Sequence, residues 1–138
     1  MTDTLPGAPC EVVIVNYNAG PTLAEAVRTI LPCASVREVI VVDNASGDQS
    51  LALLEAGFPG EARLRVLRND ANLGFAVGCN RALAHCQAPY QLYLNPDCLV
   101  DPSAIDTLIA TLEGEADAGM AGPLLVNTDG SEQAGGRR

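Results

Sequence analysis

Short apolar runs alternate with amphipathic stretches along most of the chain. Four runs rich in β-branched, leucine or tyrosine residues predict strands within residues 10–18, 37–46, 63–69 and 90–95, and the third of them is the weakest. The first two runs are apolar at nearly every position before they end in polar residues. Continuous apolar character is typical of parallel strands that are buried on both faces of a sheet.

The stretches that follow the first two predicted strands carry apolar residues at helical spacing. Pro21 is expected at the first position of the first helix, and Pro32 helps to end that helix. Ser46 and Gln49 predict a capping box at the start of the second helix, because these two side chains can satisfy free backbone N–H groups there.

Two further helices are predicted after the third and fourth strands. Asn72 is the expected cap of the third helix, whose predicted buried face consists of Phe75, Cys79, Ala82, Leu83 and Cys86. Asp101 is the expected cap of the fourth helix, with Pro102 in its first turn and Gly114 as its end. The fourth helix is expected to bury Ile105, Leu108, Ile109 and Leu112.

The fourfold alternation of strand and helix predicts an α/β fold, in which a doubly wound, mostly parallel sheet carries helices on both faces. We expect a single domain over residues 1–138. Ligands of such sheets bind beyond the carboxyl ends of the strands. The polar residues that end the apolar runs belong to that edge: Asn16, Tyr17 and Asn18 after the first strand, Asp43 and Asn44 after the second, and Asn95 to Asp97 after the fourth.

Composition narrows the classes of function. The 138 residues are 48% hydrophobic, which is enough for one well-formed core. Seventeen acidic residues against eight basic ones give a net charge of −9, so we expect no nucleic-acid partner. Five cysteines without a Cys-x-x-Cys pair, and one histidine, argue against a zinc site or a disulfide framework. No signal-like start or run of roughly 18 apolar residues is present, and a cytoplasmic chain is expected.

Each candidate residue also has a purely structural explanation. Asn95 to Asp97 could be turn chemistry before a helix, and Asp43 could simply begin a loop. Gly74 and Gly78 could allow a helix to approach the sheet closely, and Asn80 could lie on a helix surface. The expected position of three polar clusters at one edge of the sheet favours ligand binding over a scaffold role.

Four segments in this order and spacing resemble the family 2 glycosyltransferases, and the rhamnosyltransferase-like branch in particular. They are "VVIVNYNAGPTLAEAVRTIL", "VIVVDNASGDQS", "NDANLGFAVGCNRAL" and "LYLNPD". The resemblance extends from about Glu11 to Arg138 and implies a Rossmann-like GT-A fold that takes nucleotide-diphosphate sugars, with dTDP or UDP as the nucleotide.

The resemblance implies roles for individual residues. Tyr17 and Asp43 would hold the base and the ribose, and Gly74 and Asn80 would approach the sugar nucleotide. The family's Asp-x-Asp motif binds a divalent metal, Mn²⁺ or Mg²⁺; here it reads Asn95-Pro96-Asp97, so Asp97 is the expected metal ligand. The predicted binding set is Asn16, Tyr17, Asn18, Asp43, Asn44, Gly74, Asn80, Asn95 and Asp97.

The resemblance also implies an inverting transfer to an acceptor hydroxyl, such as that of a glycan, with a carboxylate as general base. No residue of this chain is a convincing base, so we expect that group beyond Arg138, in a longer protein peripheral to the cell membrane. The chain is accordingly expected to be the donor-binding portion, truncated before the acceptor half. By itself it would bind donor without efficient transfer.

Two other functions compete with this interpretation. A sugar-nucleotide nucleotidyltransferase would need a glycine-rich basic loop after the first strand, but "VNYNAGPT" has one glycine and no lysine or arginine. A non-catalytic module could retain the fold as a nucleotide-sugar-binding or oligomerisation surface. An exposed apolar face would favour homo-oligomers in either case.

Overall fold

The computed structural model describes residues 9–134, which form a four-stranded sheet and four helices in strict alternation. All three strand pairs are parallel, and the strand order is β3-β2-β1-β4. The predicted parallel α/β architecture is therefore confirmed. The strands are β1 (Cys10–Asn16), β2 (Val36–Asp43), β3 (Leu64–Arg68) and β4 (Tyr90–Leu94).

The core lies around β1, which pairs with β2 on one side and β4 on the other and is buried along its whole length. Val13 and Val15 of β1 pack with Ala82 of the third helix. The alternate residues, Val12 and Ile14, face the other side of the sheet and are fully buried as well. Burial of one such side chain contributes about 1.5–3 kcal/mol, which explains why both faces are apolar.

The first two helices are α1 (Thr22–Ile30) and α2 (Ser50–Gly57). The buried positions of α1 include Leu23, Ala26, Val27 and Ile30, which are the apolar residues whose helical spacing predicted this helix. The capping box is wrong, because α2 begins at Ser50 and Gln49 occupies the N-cap position. Ser46 lies before that helix, and its hydroxyl bonds to side chains of other elements instead.

The third helix, α3 (Phe75–Leu83), differs from the prediction at its start and on its buried face. Gly74 occupies the N-cap position, while Asn72 accepts a hydrogen bond from the Gly74 N–H at 3.0 Å. Phe75 and Leu83 are 54% and 47% exposed. Ala82 is buried and Cys79 and Cys86 pack against the core, as predicted. The unexpected buried residue is Gly78, through which the helix approaches the sheet closely.

The chain divides between Pro102 and Ser103 into two compact units. The second unit contains α4 (Ala104–Gly114), whose N-cap is Ser103 rather than Asp101. Its less exposed positions include Ile105, Leu108, Ile109 and Leu112, as expected. An isolated antiparallel bridge joins Val126 and Glu132 in the same unit. The single domain expected over residues 1–138 stays a prediction.

None of the helices formed by residues 9–134 is long and apolar enough to cross a membrane.

Within residues 9–134, β4 is an edge strand, because it pairs with β1 on one side only. Tyr93 of this strand is 42% exposed, and its partner in β1 is Val13. The expected homo-oligomer stays a prediction.

Candidate functional site

The carboxyl ends of β1 and β2 stop at the same level, where Asn16 is paired with Asp43. Strand β4 ends beside β1, with Leu94 opposite Ile14, so that Asn95 begins the next segment at this edge. We call this edge of the sheet, with the segments that leave it, the carboxyl rim. Adjacent strands are about 4.8 Å apart, so the ends of β2 and β4 are separated by roughly 10 Å, with β1 between them.

Asp43 is held firmly at the rim by its neighbours. Its Oδ1 atom accepts hydrogen bonds from Asn16 Nδ2 at 2.8 Å and from the Ser46 hydroxyl at 2.7 Å. Its Oδ2 atom accepts one from the Ser46 N–H at 3.1 Å. The carboxylate is buried, and Oδ2 retains capacity for a further donor because an ionised carboxylate oxygen can accept two hydrogen bonds.

Asn16 lies beneath the rim and is fully buried. Its Nδ2 group also contacts the hydroxyls of Ser46 at 3.2 Å and Ser50 at 2.8 Å. Its Oδ1 atom is buried without a hydrogen-bond partner within residues 9–134. Asn16 therefore fixes the position of Asp43 from below.

Hydrogen bonds join the β1–α1 loop, residues 17–21, to the β2–α2 loop, residues 44–49. The Asn18 N–H donates to the Ser46 hydroxyl at 2.9 Å, and the Gly47 N–H donates to Asn18 Oδ1 at 2.8 Å. Asn18 has a φ of 52°, in the left-handed region that asparagine tolerates better than most residues. Each loop therefore holds the other in a fixed position.

Asp48 adds a second connection between these loops. Its carboxylate accepts from the Gly20 N–H at 2.8 Å and from the Ser50 hydroxyl at 2.6 Å. The hydrogen bonds from Ser50, followed by that from Gly20, lower the pKa of Asp48. Tyr17, in the loop so fixed, leaves 52% of its surface exposed. Tyr17 directly follows Asn16, the strand partner of Asp43, so a partly exposed aromatic residue begins the loop at this end of β1.

Asn44 connects the end of β2 with the β3–α3 loop, which we define as residues 69–74. Its Oδ1 atom accepts from Asn69 Nδ2 at 2.7 Å, and its Nδ2 group donates to the Gly74 carbonyl at 3.1 Å. Gly74 has a φ of 83°, and no atom lies within 4 Å of the position that a Cβ would take. Glycine is needed there for its backbone conformation and not for close packing.

Gly78 has the opposite role. A Cβ at this position would lie 2.9 Å from both methyl carbons of Val15, so glycine allows α3 to approach β1 closely. Asn80, in the same helix, is exposed and does not belong to the network around Asp43.

The polar cluster that follows β4 forms a turn. The Cys98 N–H donates to the Asn95 carbonyl at 3.2 Å, with Pro96 and Asp97 between them. Asp97 is exposed, and its Oδ1 atom lies 4.0 Å from the Cys98 sulfur. Within residues 9–134 no group of three or more His, Cys, Asp or Glu side chains could hold a metal ion. A cation at Asp97 would therefore need most of its ligands from a bound molecule and from water.

The structure thus brings Asn16, Asp43 and Asn44 into direct contact and places Tyr17 and Asn18 in an adjoining loop. It adds three residues that the sequence did not mark as part of the site, namely Ser46, Asp48 and Asn69. Ser46 and Asp48 both belong to "DNASGD", where hydroxyl and carboxylate side chains follow a buried strand. That pattern was the available signal, but it resembles an ordinary helix start.

Comparison with known proteins gives a consistent result. The family described as "Glycosyl transferase family 2" matches residues 11–137. Succinoglycan biosynthesis protein ExoU of Rhizobium meliloti is 33% identical over 110 residues, which are 80% of this chain and 32% of that protein. N-acetylglucosaminyl-diphospho-decaprenol L-rhamnosyltransferase of Mycobacterium tuberculosis is 32% identical over 144 aligned residues, covering 95% of this chain and 44% of that protein. The chain thus spans between a third and a half of these relatives.

Two solved structures share the fold. Mannosyltransferase PcManGT from Pyrobaculum calidifontis, in complex with GDP-Man and Mn²⁺, superposes with a TM-score of 0.66 at 22% identity, over 73% of this chain and 31% of that one. S. aureus TarS in complex with UDP-GlcNAc gives a TM-score of 0.66 at 23% identity, over 76% of this chain and 31% of that one. These likenesses confirm the predicted GT-A fold.

Proposed function

The chain belongs to glycosyltransferase family 2, as its motifs predicted, and from this premise we propose that it carries the donor site of a sugar transferase. The donor is a nucleoside-diphosphate sugar, and the acceptor is a hydroxyl group such as that of a glycan. The observation that carries the proposal is the common rim that Tyr17, Asp43 and Asp97 share. An extended ligand lying across β1 would reach from Asp43 to Asp97.

The nucleoside end of the donor is assigned to Tyr17 and Asp43. An exposed tyrosine ring offers a stacking surface to a planar base. The Oδ2 atom of Asp43 has capacity for one further hydrogen bond and suits the ring N–H of uracil or thymine, or a ribose hydroxyl. Both bases present the same N–H between two carbonyl groups, so UDP and dTDP are both proposed as carriers of the sugar.

The remaining predicted contacts follow the same rim. Asn16 supports Asp43 from the core, and Asn44 connects the end of β2 with the β3–α3 loop. Asn18 fixes the loop that carries Tyr17. Gly74 and Asn80 are proposed to face the sugar nucleotide from the β3–α3 loop and from α3. Asn95 and Asp97 are proposed at the diphosphate end.

Asp97 is proposed to hold a divalent metal together with the diphosphate. Mg²⁺ and Mn²⁺ are commonly bound by one or two carboxylates, substrate phosphate oxygens and water, and an exposed Asp97 fits that donor set. Asn95 can add a neutral amide oxygen. A metal bound there would neutralise the negative charge that develops on the departing nucleoside diphosphate. The Mn²⁺ bound to the mannosyltransferase of the same fold supports this assignment.

The transfer is proposed to invert the anomeric centre. The acceptor oxygen forms a bond to the anomeric carbon while the bond from that carbon to the diphosphate oxygen breaks, and the hydroxyl proton passes to a carboxylate base. None of the carboxylates within residues 9–134 is assigned as that base. Asp129, for example, accepts hydrogen bonds from Ser131 in a turn. Cytoplasmic location and peripheral association of the whole protein with a membrane stay predictions.

Calorimetric titration of the 138-residue chain with UDP and with dTDP, each with and without Mn²⁺, tests this function. We expect binding that Mn²⁺ strengthens by about tenfold or more, and loss of that dependence in Asp97→Asn, since one carboxylate ligand is removed. The matched control is Glu61→Gln, which neutralises a carboxylate before β3, at the opposite end of the sheet. Absence of binding of both nucleotides to the folded wild-type chain would overturn a donor site formed by this chain.

A further inference from the structure

Arg81 of α3 makes two hydrogen bonds through a single nitrogen atom. Its Nη1 group donates to the Arg68 carbonyl at 2.6 Å and to the Oδ1 atom of Asn69. Both acceptors lie where β3 ends and the β3–α3 loop begins. The helix that follows this loop is thus bonded back to the residues that precede it.

The bonds continue from Asn69 toward the proposed donor site. Asn69 is 8% exposed, and its Nδ2 group donates to Asn44 Oδ1 at 2.7 Å, while its N–H donates to the Asp43 carbonyl at 2.8 Å. Asn44 in turn binds the Gly74 carbonyl, at the other end of the loop. Asn44, next to Asp43, is therefore hydrogen-bonded to both ends of the loop. Arg81 is hydrogen-bonded to the Asn69 side chain that contacts Asn44.

The guanidinium group of Arg81 has a different kind of partner from those of neighbouring arginines. Arg63, Arg65 and Arg68 each pair with a carboxylate, at Glu61, Glu38 and Glu55. Within the described part of the chain, the hydrogen bonds of Arg81 go to two neutral oxygen atoms. A charged donor makes a stronger hydrogen bond than a neutral one, which suits a side chain that orders a loop. Its Nε and Nη2 groups retain three further N–H donors.

From this arrangement we infer that Arg81 is a positioning residue, which orders the β3–α3 loop through Asn69 and Asn44 and thereby sets the geometry of the rim beside Asp43. The inference rests on the proposed donor site for its functional consequence, since Gly74 belongs to that loop. The ordering of the loop is a property of the unliganded chain, so it can be measured separately from nucleotide binding.

Amide hydrogen exchange of the unliganded chain, resolved by NMR, measures the loop directly. In Arg81→Met we expect exchange at the Asn69 and Gly74 amides to accelerate about tenfold, because hydrogen bonds to a charged group are lost. The Val36 amide, bonded to the Cys33 carbonyl at 3.1 Å, should be unaffected. Arg37→Met is the matched control, since it removes the same charge from an exposed position near the start of β2.

A double-mutant cycle with Asn69→Ala tests whether Arg81 acts through Asn69. The double variant should exchange no faster at Gly74 than Asn69→Ala alone, because the second substitution removes an interaction that is already absent. Arg81→Lys keeps the charge and should restore part of the protection, since an ammonium group can still donate to the same two oxygen atoms. A denaturation midpoint for each variant shows that the chain is folded.

Affinity for UDP with Mn²⁺ gives the functional result. We expect it to fall about fivefold or more in Arg81→Met and to remain at the wild-type value in Arg37→Met. Unchanged exchange at Asn69 and Gly74 in a folded Arg81→Met chain would overturn the positioning role. Faster exchange in a chain whose wild-type form binds no nucleotide would support the ordering of the loop and contradict the donor site instead.

Discussion

The Nδ2 group of Asn16 lies 2.8 Å from the Oδ1 atom of Asp43, and both side chains are buried where β1 and β2 end together. The amide donates to a carboxylate oxygen that has little water around it. Within residues 9–134, the Oδ2 atom of Asp43 accepts one hydrogen bond, from the Ser46 N–H. The buried amide thereby fixes the orientation of the carboxylate, whose Oδ2 atom is the one proposed to bind the nucleoside.

Asn16→Asp should destabilise the chain strongly. The substitution replaces a donor with a second carboxylate beside Asp43, and two such groups in one buried site cannot both ionise without a large cost. We expect the free energy of unfolding to fall by at least about 2 kcal/mol, measured by urea denaturation at neutral pH. Asn18→Asp makes the same chemical change at an exposed position and should cost little. Equal losses in the two variants would contradict the role assigned to Asn16.

Glu11 supports a different part of the fold. Glu11 is buried, and its Oε2 atom accepts hydrogen bonds from the Gln87 N–H at 2.8 Å and the Ala88 N–H at 3.0 Å. This carboxylate therefore fixes the segment that connects α3 with β4. Glu11→Ala leaves two backbone donors without a partner and should lower the free energy of unfolding by about 2–4 kcal/mol. Glu11→Gln retains an oxygen acceptor and should lose less than half as much. Thermal denaturation of both variants measures the difference. If Glu11→Gln were as destabilising as Glu11→Ala, the acceptor role assigned to Glu11 would be wrong.

Gly78→Ala should separate α3 from the sheet. The new methyl group would meet the two methyl carbons of Val15 at 2.9 Å, and such overpacking costs about 1–3 kcal/mol. Val15→Ala removes those carbons, so the double variant should be more stable than the sum of the two single losses predicts. Gly47→Ala is the control, because no atom lies within 4 Å of its added Cβ. Additive losses in the cycle would show that the two positions do not interact.

One buried and one partly buried thiol predict how stability depends on alkaline pH. Burial raises the pKa of Cys10 and Cys86 from 9.0 to about 11. Between these values the unfolded chain loses thiol protons that the folded chain retains, so the free energy of unfolding should fall as the pH rises. Urea unfolding between about pH 8 and about pH 11 measures the slope. Cys10→Ala removes one of the groups and should flatten it; an unchanged slope would exclude Cys10 as a contributor.

The elements of the sheet could be predicted because their signal is local. An apolar run such as the one in β1 allows few alternatives to a buried parallel strand, and the polar residues at its end follow from the same pattern. The starts of the helices were less predictable. Ser46 was expected to cap α2, but in the folded chain its hydroxyl donates to Asp43 and accepts from Asn16 and Asn18. A serine three positions after an aspartate can either cap the next helix or hydrogen-bond to that aspartate, and the sequence does not show which of the two occurs.

The buried face of α3 shows the same limit. Ala82, Cys79 and Cys86 pack in the core as expected. Phe75 and Leu83 were also expected inside because burial of large apolar residues is usually favourable, but they are exposed, and Gly78 is buried instead. The close approach of Gly78 to Val15 decides the rotation of the helix, and that approach exists only after the sheet has formed. The roles in donor binding proposed for Tyr17, Asp43 and Asp97 stay predictions, although their common rim follows from the strand order.

By itself, the sequence determined the parallel α/β architecture, the family and the polar clusters that end the strands, since periodicity and short motifs are properties of neighbouring residues. The tertiary structure alone decided which of those polar groups are buried supports and which are exposed. Asn16 and Tyr17 are adjacent in sequence, yet the first is fully buried and the second is half exposed. Likewise, Arg81 reaches Asn44 only through Asn69, because folding brings three separate segments within hydrogen-bond distance.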